Sequence, residues 1–462
     1  MNGISAIMKD YWGQRHLVPK GAWLLLISYS LVAFGSPMPP KVTWLEILMG
    51  CGLLMGGFML TGPVIRAVQQ QRSAQWCLGL TALLFLIPLC VGLLRGNAMS
   101  DIARDIFPLI FLLMIPFLLT YSTSSSDRTT LRTLITVALV FVGICTAVTF
   151  FLGALNLYGS FERMVTLMQG SFAQIDTVQV AHTAHTANAA ETASKVQVAH
   201  TAHTANAAET ASNERFKAIF LKLYDPAMLF ASIFLSAWGV VLMVKSWREW
   251  LPGIILAMMG ASIAYGFMIM GLRAYTAFFA LAILTMCLYM LREQGFYIRL
   301  LPVVIVSLAL FWPQVSAVLQ LLWAKQEAVG ANGKSEEWLA VLKTITEYPH
   351  TMLFGIGWGG TLENPIYEGS TRFTHSALSY YLLKSGVLGL ITLLSIIVIF
   401  FLEGRRHGDS GSLTPSRLII LVSCLPPLLI GVLFEPTYKM LSYGVILALF
   451  VLALPSFRKI TL

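Results

Sequence analysis

The chain has 462 residues, of which 57% are hydrophobic and only 11% are charged. An average soluble domain is about one quarter charged, so this composition excludes an ordinary soluble fold. The formal net charge of +9 does not indicate a nucleic-acid partner, because the basic residues of a membrane protein first serve to orient its loops. Composition therefore predicts an all-α, polytopic membrane protein.

Twelve apolar segments are each long enough to cross a hydrocarbon core of about 30 Å as a helix. They lie near residues 21 to 38, 43 to 64, 74 to 94, 104 to 121, 133 to 155, 225 to 244, 251 to 270, 274 to 291, 299 to 320, 376 to 401, 417 to 435 and 438 to 455. An even number of spans places both termini on the same side. The whole chain, 1 to 462, is treated as a single membrane domain.

The basic residues of the short loops alternate in density from one loop to the next. The denser set consists of Lys9, Arg15, Lys20, Arg66, Arg72, Arg128, Arg132, Lys245, Arg248, Arg292, Arg299, Arg405, Arg406, Arg417, Arg458 and Lys459. This set marks the cytoplasmic face and predicts that both termini are cytoplasmic. The opposite short loops carry only Lys41, Arg95, Arg104, Arg273 and Lys439. Two long loops, near 156 to 224 and 321 to 375, also fall on this outer face.

The first long loop contains a tandem duplication, since VQVAHTAHTANAAETAS at 178 to 194 recurs unchanged at 196 to 212. It holds His182, His185, His200 and His203. Histidine pairs at this spacing could capture a metal ion, but the segment is also typical of low-complexity sequence that is only loosely ordered. We favour the second interpretation, because no other ligand type lies nearby. We expect neither a metal ion nor a cofactor.

The sequence of the second long loop predicts a helix through EEWLAVLKTITEY, with Ser335 as its cap and Pro349 as its stop. Its apolar stripe would consist of Trp338, Leu339, Leu342 and Ile345. Such a helix could lie along the membrane surface. The glycines of GIGWGG, residues 355 to 360, then allow a tight turn towards the bilayer. A glycine cluster alone is a weak indication of phosphate binding.

Few ionisable groups lie near span ends on the outer face, and the notable ones are Arg273, Arg372 and His375, with Arg215 before the sixth span. Arg273 could pair with a phosphate oxygen or simply snorkel to the interface. His375 could act as a general base or as a helix cap. A sugar on a lipid diphosphate needs cations for its leaving group and a base for the acceptor hydroxyl. These residues would meet both needs on one face.

The order of four blocks resembles the O-antigen ligase and polymerase superfamily, over roughly residues 214 to 400. ERFKAIFLKLYDPAMLFASIF resembles an arginine segment of the family and carries Arg215, and GLRAYTAFFALAIL resembles a helix start and carries Arg273. EEWLAVLKTITEYPHTMLFGIGWGG resembles a third block, and THSALSYYLLKSGVLGL a fourth, which carries His375. Departures from the family pattern at Ala227, Leu272, Ala274 and Ser376 leave the arginine and histidine positions unchanged.

The resemblance implies a GT-C-like glycosyltransferase of the bacterial inner membrane that takes a glycan from undecaprenyl diphosphate on the periplasmic side without a metal ion. His375 would be the base for the acceptor hydroxyl, and Arg273 and Arg215 would bind the diphosphate with Arg372 as a helper. The acceptor would be lipid A-core in a ligase, another repeat unit in a polymerase, or a protein in an oligosaccharyltransferase. We favour the ligase.

A twelve-span transporter is the competing interpretation from another class of protein. Transporters usually carry ionisable residues or broken helices near the bilayer midplane and have related halves. The spans of this chain hold almost no central charges, and its polar residues are concentrated in two unequal outer loops. The sequence therefore favours the transferase.

Overall fold

The computed structural model describes residues 20–35, 44–122, 127–158, 222–269, 271–294, 316, 320, 334–364, 370–408 and 414–456. Within these ranges the chain is a helical bundle with one two-residue antiparallel ladder. Nine of the described helices are long and apolar enough to cross a membrane, and two shorter apolar helices accompany them. The prediction of an all-α, multi-pass membrane protein is confirmed.

The helices are numbered here in chain order. They are α1 (Lys20–Ser30), α2 (Trp44–Gln70), α3 (Arg72–Leu94), α4 (Met99–Tyr121), α5 (Arg128–Tyr158), α6 (Pro226–Lys245), α7 (Trp250–Ile269), α8 (Arg273–Gln294), α9 (Lys334–Thr346), α10 (Pro349–Phe354), α11 (Ala377–Arg406), α12 (Pro415–Leu433) and α13 (Leu441–Ala453). A 3₁₀ turn, Leu31–Phe34, extends α1, and others cover Trp247–Glu249 and Pro436–Lys439. The strands are β1 (Leu362–Glu363) and β2 (Ser370–Thr371), with Leu362 opposite Thr371.

Eleven of the twelve predicted spans coincide with these helices. The exception is the span near 299 to 320, which lies outside the described residues except for Ser316 and Gln320. The tandem repeat also lies outside them. Hydropathy predicts the helices well because each must satisfy its own backbone hydrogen bonds in lipid, and a long apolar run can do so only as a helix.

Helix α13 lies at the centre of the bundle, where it packs against α4, α5, α11 and α12. Nearly all of its residues are buried, as expected for a helix that is apolar on every side. Helices α2 and α8 lie at the periphery, and only about a fifth of each span is buried within the protein. This distribution is typical of a bundle whose outer helices face lipid.

Helix α11 is broken at Gly386, where φ is 64° and ψ is −167°. The break frees two carbonyl groups of the preceding turn. The N–H of Ile356 donates to the carbonyl of Leu383 over 2.9 Å, and the N–H of Gly357 donates to that of Lys384 over 3.0 Å. The glycine loop, defined as residues 355–360, therefore docks into the broken helix and satisfies backbone groups that would otherwise be buried without partners.

Glycine is required at Gly357 for two reasons, and one substitution pair separates them. Gly357 has φ of 78°, and a Cβ there would overlap the backbone of Gly92 in α3. Gly96 has a similar φ of 74° but nothing within 4 Å of an added Cβ. We expect Gly96→Ala to cost about 1–2 kcal/mol of stability from strain alone. Gly357→Ala should cost about 1–3 kcal/mol more from overpacking.

Thermal unfolding of the two variants in the same detergent checks this expectation. Equal melting temperatures would contradict the docking of the glycine loop against α3.

Candidate active site

Helix α9 buries a carboxylate together with apolar side chains. Its buried residues are Glu337, Val341 and Ile345, one turn apart, and the two apolar ones pack with Ile356 and Leu383. Of the predicted stripe, Ile345 is buried, whereas Leu339 and Leu342 are exposed. The buried face includes Glu337, whose carboxylate accepts hydrogen bonds inside the site.

The predicted cap of α9 is wrong. The helix begins at Lys334, so Ser335 lies inside its first turn, and the Ser335 hydroxyl donates to the carboxylate of Glu336. The predicted stop is confirmed in position, since α9 ends at Thr346 and Pro349 begins the next short helix.

His375 and Glu337 form a closely bonded pair just before α11. The backbone N–H of His375 donates to Glu337 Oε2 over 2.8 Å, and the ring Nδ1 lies 3.2 Å from Glu337 Oε1. Asn364 donates its amide to the same Oε1 over 2.6 Å. Since an ionised carboxylate can only accept, Nδ1 of His375 carries the proton and the lone pair of the neutral ring is on Nε2. This is the tautomer that a general base needs.

The carboxyl of Glu337 is held in its charged form. Burial opposes ionisation, but the hydrogen bonds from the ring and backbone of His375 and from Asn364 outweigh it, so the pKa of Glu337 lies below its ordinary value. Glu337 is therefore an anion at neutral pH and can stabilise an imidazolium at His375.

A network of hydroxyl groups fixes the backbone around His375. Ser376 caps α11 by accepting from the N–H of Ser379, and the Ser379 hydroxyl donates to Thr374 Oγ1 over 2.8 Å. Tyr438 donates its hydroxyl to the carbonyl of Thr374 over 3.1 Å. The histidine thus has buried anchors on both sides, which limits the positions its ring can adopt.

Two ion pairs join the second long loop and α11 to α4. Arg372 Nη1 lies 2.6 Å from Asp101 Oδ1, with both side chains partly exposed. Lys384 Nζ lies 2.6 Å from Asp105 Oδ2, and both of these side chains are buried. The exposed Arg372 can exchange its partner for a ligand at small cost, whereas Lys384 is enclosed by protein.

The buried pair completes the anchoring of the glycine loop. Lys384 also donates to the carbonyl of Gly360, and Asp105 Oδ2 accepts from the N–H of Gly359 over 2.8 Å. The N–H of Trp358 donates to the carbonyl of Pro88. The N–H groups of residues 356 to 359 are therefore all used within the protein. They are not directed at a ligand, so the loop has a positioning role and is not a phosphate cradle.

Removing Lys384 tests the buried pair. Lys384→Met would leave Asp105 buried and uncompensated, so we expect a loss of about 3–5 kcal/mol of stability. Adding Asp105→Asn should restore part of it, because the amide oxygen can still accept from Gly359. Lys334→Met, which breaks the partly exposed pair with Glu435, should cost no more than about 1 kcal/mol. Thermal unfolding of the four proteins measures this, and equal losses in the two lysine variants would contradict it.

Lys439 lies between α12 and α13, close to the histidine segment. Its ammonium is 4.6 Å from the ring centre of Phe373, 4.8 Å from that of Tyr380 and 5.8 Å from that of Tyr438. It makes no hydrogen bond or salt bridge to any described residue. Burial, with nearby Lys384 and Arg372, outweighs the attraction of Asp105 and Glu337 and lowers the pKa of Lys439 to about 7. The aromatic rings stabilise its charged form only modestly.

The predicted site residues are only partly brought together. Arg372 and His375 lie in one cluster with Glu337 and Lys439. Arg273 is the first residue of α8, as predicted, but α8 packs against α6, α7 and α12. No described contact joins it to His375. Arg215 and the four repeat histidines lie outside the described residues.

Sequence reasoning missed Glu337, Asp105, Lys384 and Lys439. The sequence did carry a signal for Asp105 and Lys384, since each is an ionisable residue in an otherwise apolar segment. Such residues usually have a partner or a function. Among the described residues, no group of three or more His, Cys, Asp or Glu side chains could hold a metal ion.

Comparisons with protein-family models, curated proteins and solved structures find no match in any of the three.

Proposed function

We propose that this protein is a glycosyltransferase that moves a glycan from undecaprenyl diphosphate to an acceptor hydroxyl on the periplasmic face of a bacterial inner membrane. The observation that carries the proposal is the bonded pair of His375 and Glu337 at a helix end of a membrane bundle, with the cations Arg372 and Lys439 beside it. We favour lipid A-core as the acceptor, as in O-antigen ligases, which the sequence resembles.

The reaction assigns one task to each group. Nε2 of His375 takes the proton of the acceptor hydroxyl while the oxygen forms its bond to the anomeric carbon. The bond from that carbon to the diphosphate oxygen breaks, and the diphosphate leaves with the electron pair. Arg372 can then move from Asp101 to the developing negative charge. Glu337 stabilises the imidazolium that forms at His375.

The acceptor that receives the glycan distinguishes a ligase, a polymerase and an oligosaccharyltransferase. Purified protein in lipid discs is given undecaprenyl-diphosphate glycan with lipid A-core, with a second glycan donor, or with a pilin-like protein. We expect glycan on lipid A-core. Longer lipid-linked glycan would instead identify a polymerase, and glycosylated protein would identify an oligosaccharyltransferase. Absence of transfer to all three would contradict the proposal.

Two observations favour a transporter as a second candidate, since α11 is broken at Gly386 and the pair of Lys384 and Asp105 is buried within spans. Transporters use such features to bind solutes. Here both are occupied by the glycine loop, which bonds to the freed carbonyl groups and to both charged side chains. We therefore rank the transporter second. Flux of a soluble solute through reconstituted protein would reverse the ranking.

A further inference from the structure

A cavity of about 230 Å³ lies beside the candidate active site, with Lys439 in its wall. One side comes from the end of α1 and the start of α2 and is mostly apolar, with Val32, Leu45 and Met49, but it also carries the carboxylate of Glu46. The other side is polar and includes Lys222 and Asp225, which precede α6. Such a division between apolar and polar walls fits an amphiphile better than a free sugar or a free ion.

Trp44, at the start of α2, indicates how deep in the membrane the cavity lies. Trp44 is 85% exposed, and exposed tryptophans at the ends of membrane helices lie at the level of the lipid head groups. Leu45 and Met49 line the cavity within one and a half turns of Trp44. The outer surface of α2 carries exposed apolar side chains, including Leu48 and Leu54. A ligand can therefore reach the cavity from the membrane interface.

Two ammonium groups, Lys222 and Lys439, and two carboxylates, Glu46 and Asp225, line the cavity. Both carboxylates have partners within the protein, whereas neither ammonium group makes a hydrogen bond or salt bridge to a described residue. Asp225 is already used as the cap of α6, where it accepts from the N–H of Ala227 over 2.9 Å, and burial raises its pKa. Burial also lowers the pKa of Lys222. Burial thus disfavours the charged form of both lysines, and a bound anion would stabilise that form.

We propose that this cavity binds the phosphate head group of a membrane lipid through the ammonium groups of Lys222 and Lys439. The volume is below the range of about 300–1,000 Å³ typical of pockets for drug-sized ligands. It has room for a head group and the first methylene groups but not for a glycan. The inference deepens the proposed function, on which it partly rests, because the ammonium of Lys439 also lies 4.6 Å from the ring centre of Phe373, next to the histidine segment. A phosphate held here would lie next to the proposed base.

The test uses farnesyl diphosphate, phosphatidylglycerol, inorganic diphosphate and farnesol as probes, with purified full-length protein in detergent and calorimetry as the readout. We expect farnesyl diphosphate to bind, and Lys439→Met and Lys222→Met each to weaken it at least tenfold. Lys343→Met is the matched control, because Lys343 is exposed on α9 and does not line the cavity, and should bind normally. Competition by phosphatidylglycerol would support a general head-group site.

Three results would overturn the inference. They are unchanged affinity in both lysine variants, equal affinity for inorganic diphosphate, and equal affinity for farnesol. The melting temperature of each variant shows whether it is folded, and Lys439→Arg, which keeps the charge, should retain binding if Lys439→Met unfolds. Normal glycan transfer with unchanged binding in the lysine variants would remove only this inference. Lysine-dependent binding without any transfer would remove only the proposed function.

The pH dependence of binding provides a second readout. Lys439 is protonated below about pH 7 and neutral above it, so affinity for farnesyl diphosphate should fall as the pH rises through and beyond 7. The bound anion itself stabilises the ammonium and moves the midpoint upward. Lys439→Arg should remove the part of the dependence that comes from Lys439, because guanidinium stays charged. The charged groups around Lys439 are Asp105, Glu337, Lys384, Arg372, Lys222, Asp225 and Glu46. A flat profile for the native protein would contradict the role of Lys439.

Discussion

Replacing His375 with alanine is expected to lower the turnover of glycan transfer by about 10²- to 10⁴-fold, the usual contribution of a positioned general base. The fold should be retained, because the backbone N–H of residue 375, which donates to Glu337 over 2.8 Å, is unaffected. The donor should still bind, since the cations that would hold its diphosphate are unchanged. Turnover and donor affinity are measured separately in lipid discs.

His350→Ala is the matched control for His375→Ala. His350 lies on α10, is exposed, and stacks on Tyr348 outside the histidine site. Its variant should transfer glycan at the native rate. Near-native turnover of His375→Ala, with the protein folded, would remove His375 from the mechanism.

Glu337→Gln is expected to reduce turnover by roughly 10²-fold or more, approaching the effect that losing the partner of a catalytic histidine has in hydrolytic triads. The carboxylate accepts from three donors, namely the backbone and ring of His375 and the amide of Asn364. A glutamine offers one acceptor oxygen and an NH₂ group. If that NH₂ faces the ring, Nδ1 must accept, and the proton moves to Nε2, where it blocks the base.

The neighbouring residue provides the control for Glu337→Gln. Glu336 is exposed, so Glu336→Gln removes the same charge from the same turn of α9 without touching His375. It should leave turnover unchanged. A ring that has changed tautomer can be identified by the nitrogen chemical shifts of labelled histidine. Equal activities of the two glutamine variants would show that Glu337 does not position the base.

The fold could be predicted from the sequence where one interaction dominates. Each apolar run among the described residues forms a helix because lipid offers no other partner for its backbone groups. Nine of these helices are long and apolar enough to cross a membrane, and two are shorter. The break in α11 could not be predicted in this way. Gly386 lies in an apolar run, and only the docking of Ile356 and Gly357 stabilises its open conformation. That contact joins segments about thirty residues apart in sequence and leaves no local pattern.

The site was predicted where a residue type was unusual for its position and missed where it was not. His375 and Arg372 were conspicuous as polar residues at a span start. Glu337 was not, because an acidic residue in the first turn of a helix is ordinary. The apolar residues of α9 did not by themselves indicate its buried face, since Leu339 and Leu342 are exposed and a hydrogen-bonded carboxylate is part of that face. Periodicity measures apolar burial only, so it cannot detect a polar contact that overrides it.

One measurement tests directly whether His375 and Glu337 catalyse transfer from a lipid diphosphate. Native protein and the double variant His375→Ala with Glu337→Gln are placed in lipid discs with labelled undecaprenyl-diphosphate glycan and lipid A-core. Released undecaprenyl diphosphate and glycosylated acceptor are both quantified over time. We expect native protein to form the two products in equal amounts and the double variant, still folded, to form neither at a detectable rate. Equal product formation by both proteins, or none by the native protein with any acceptor, would contradict this expectation.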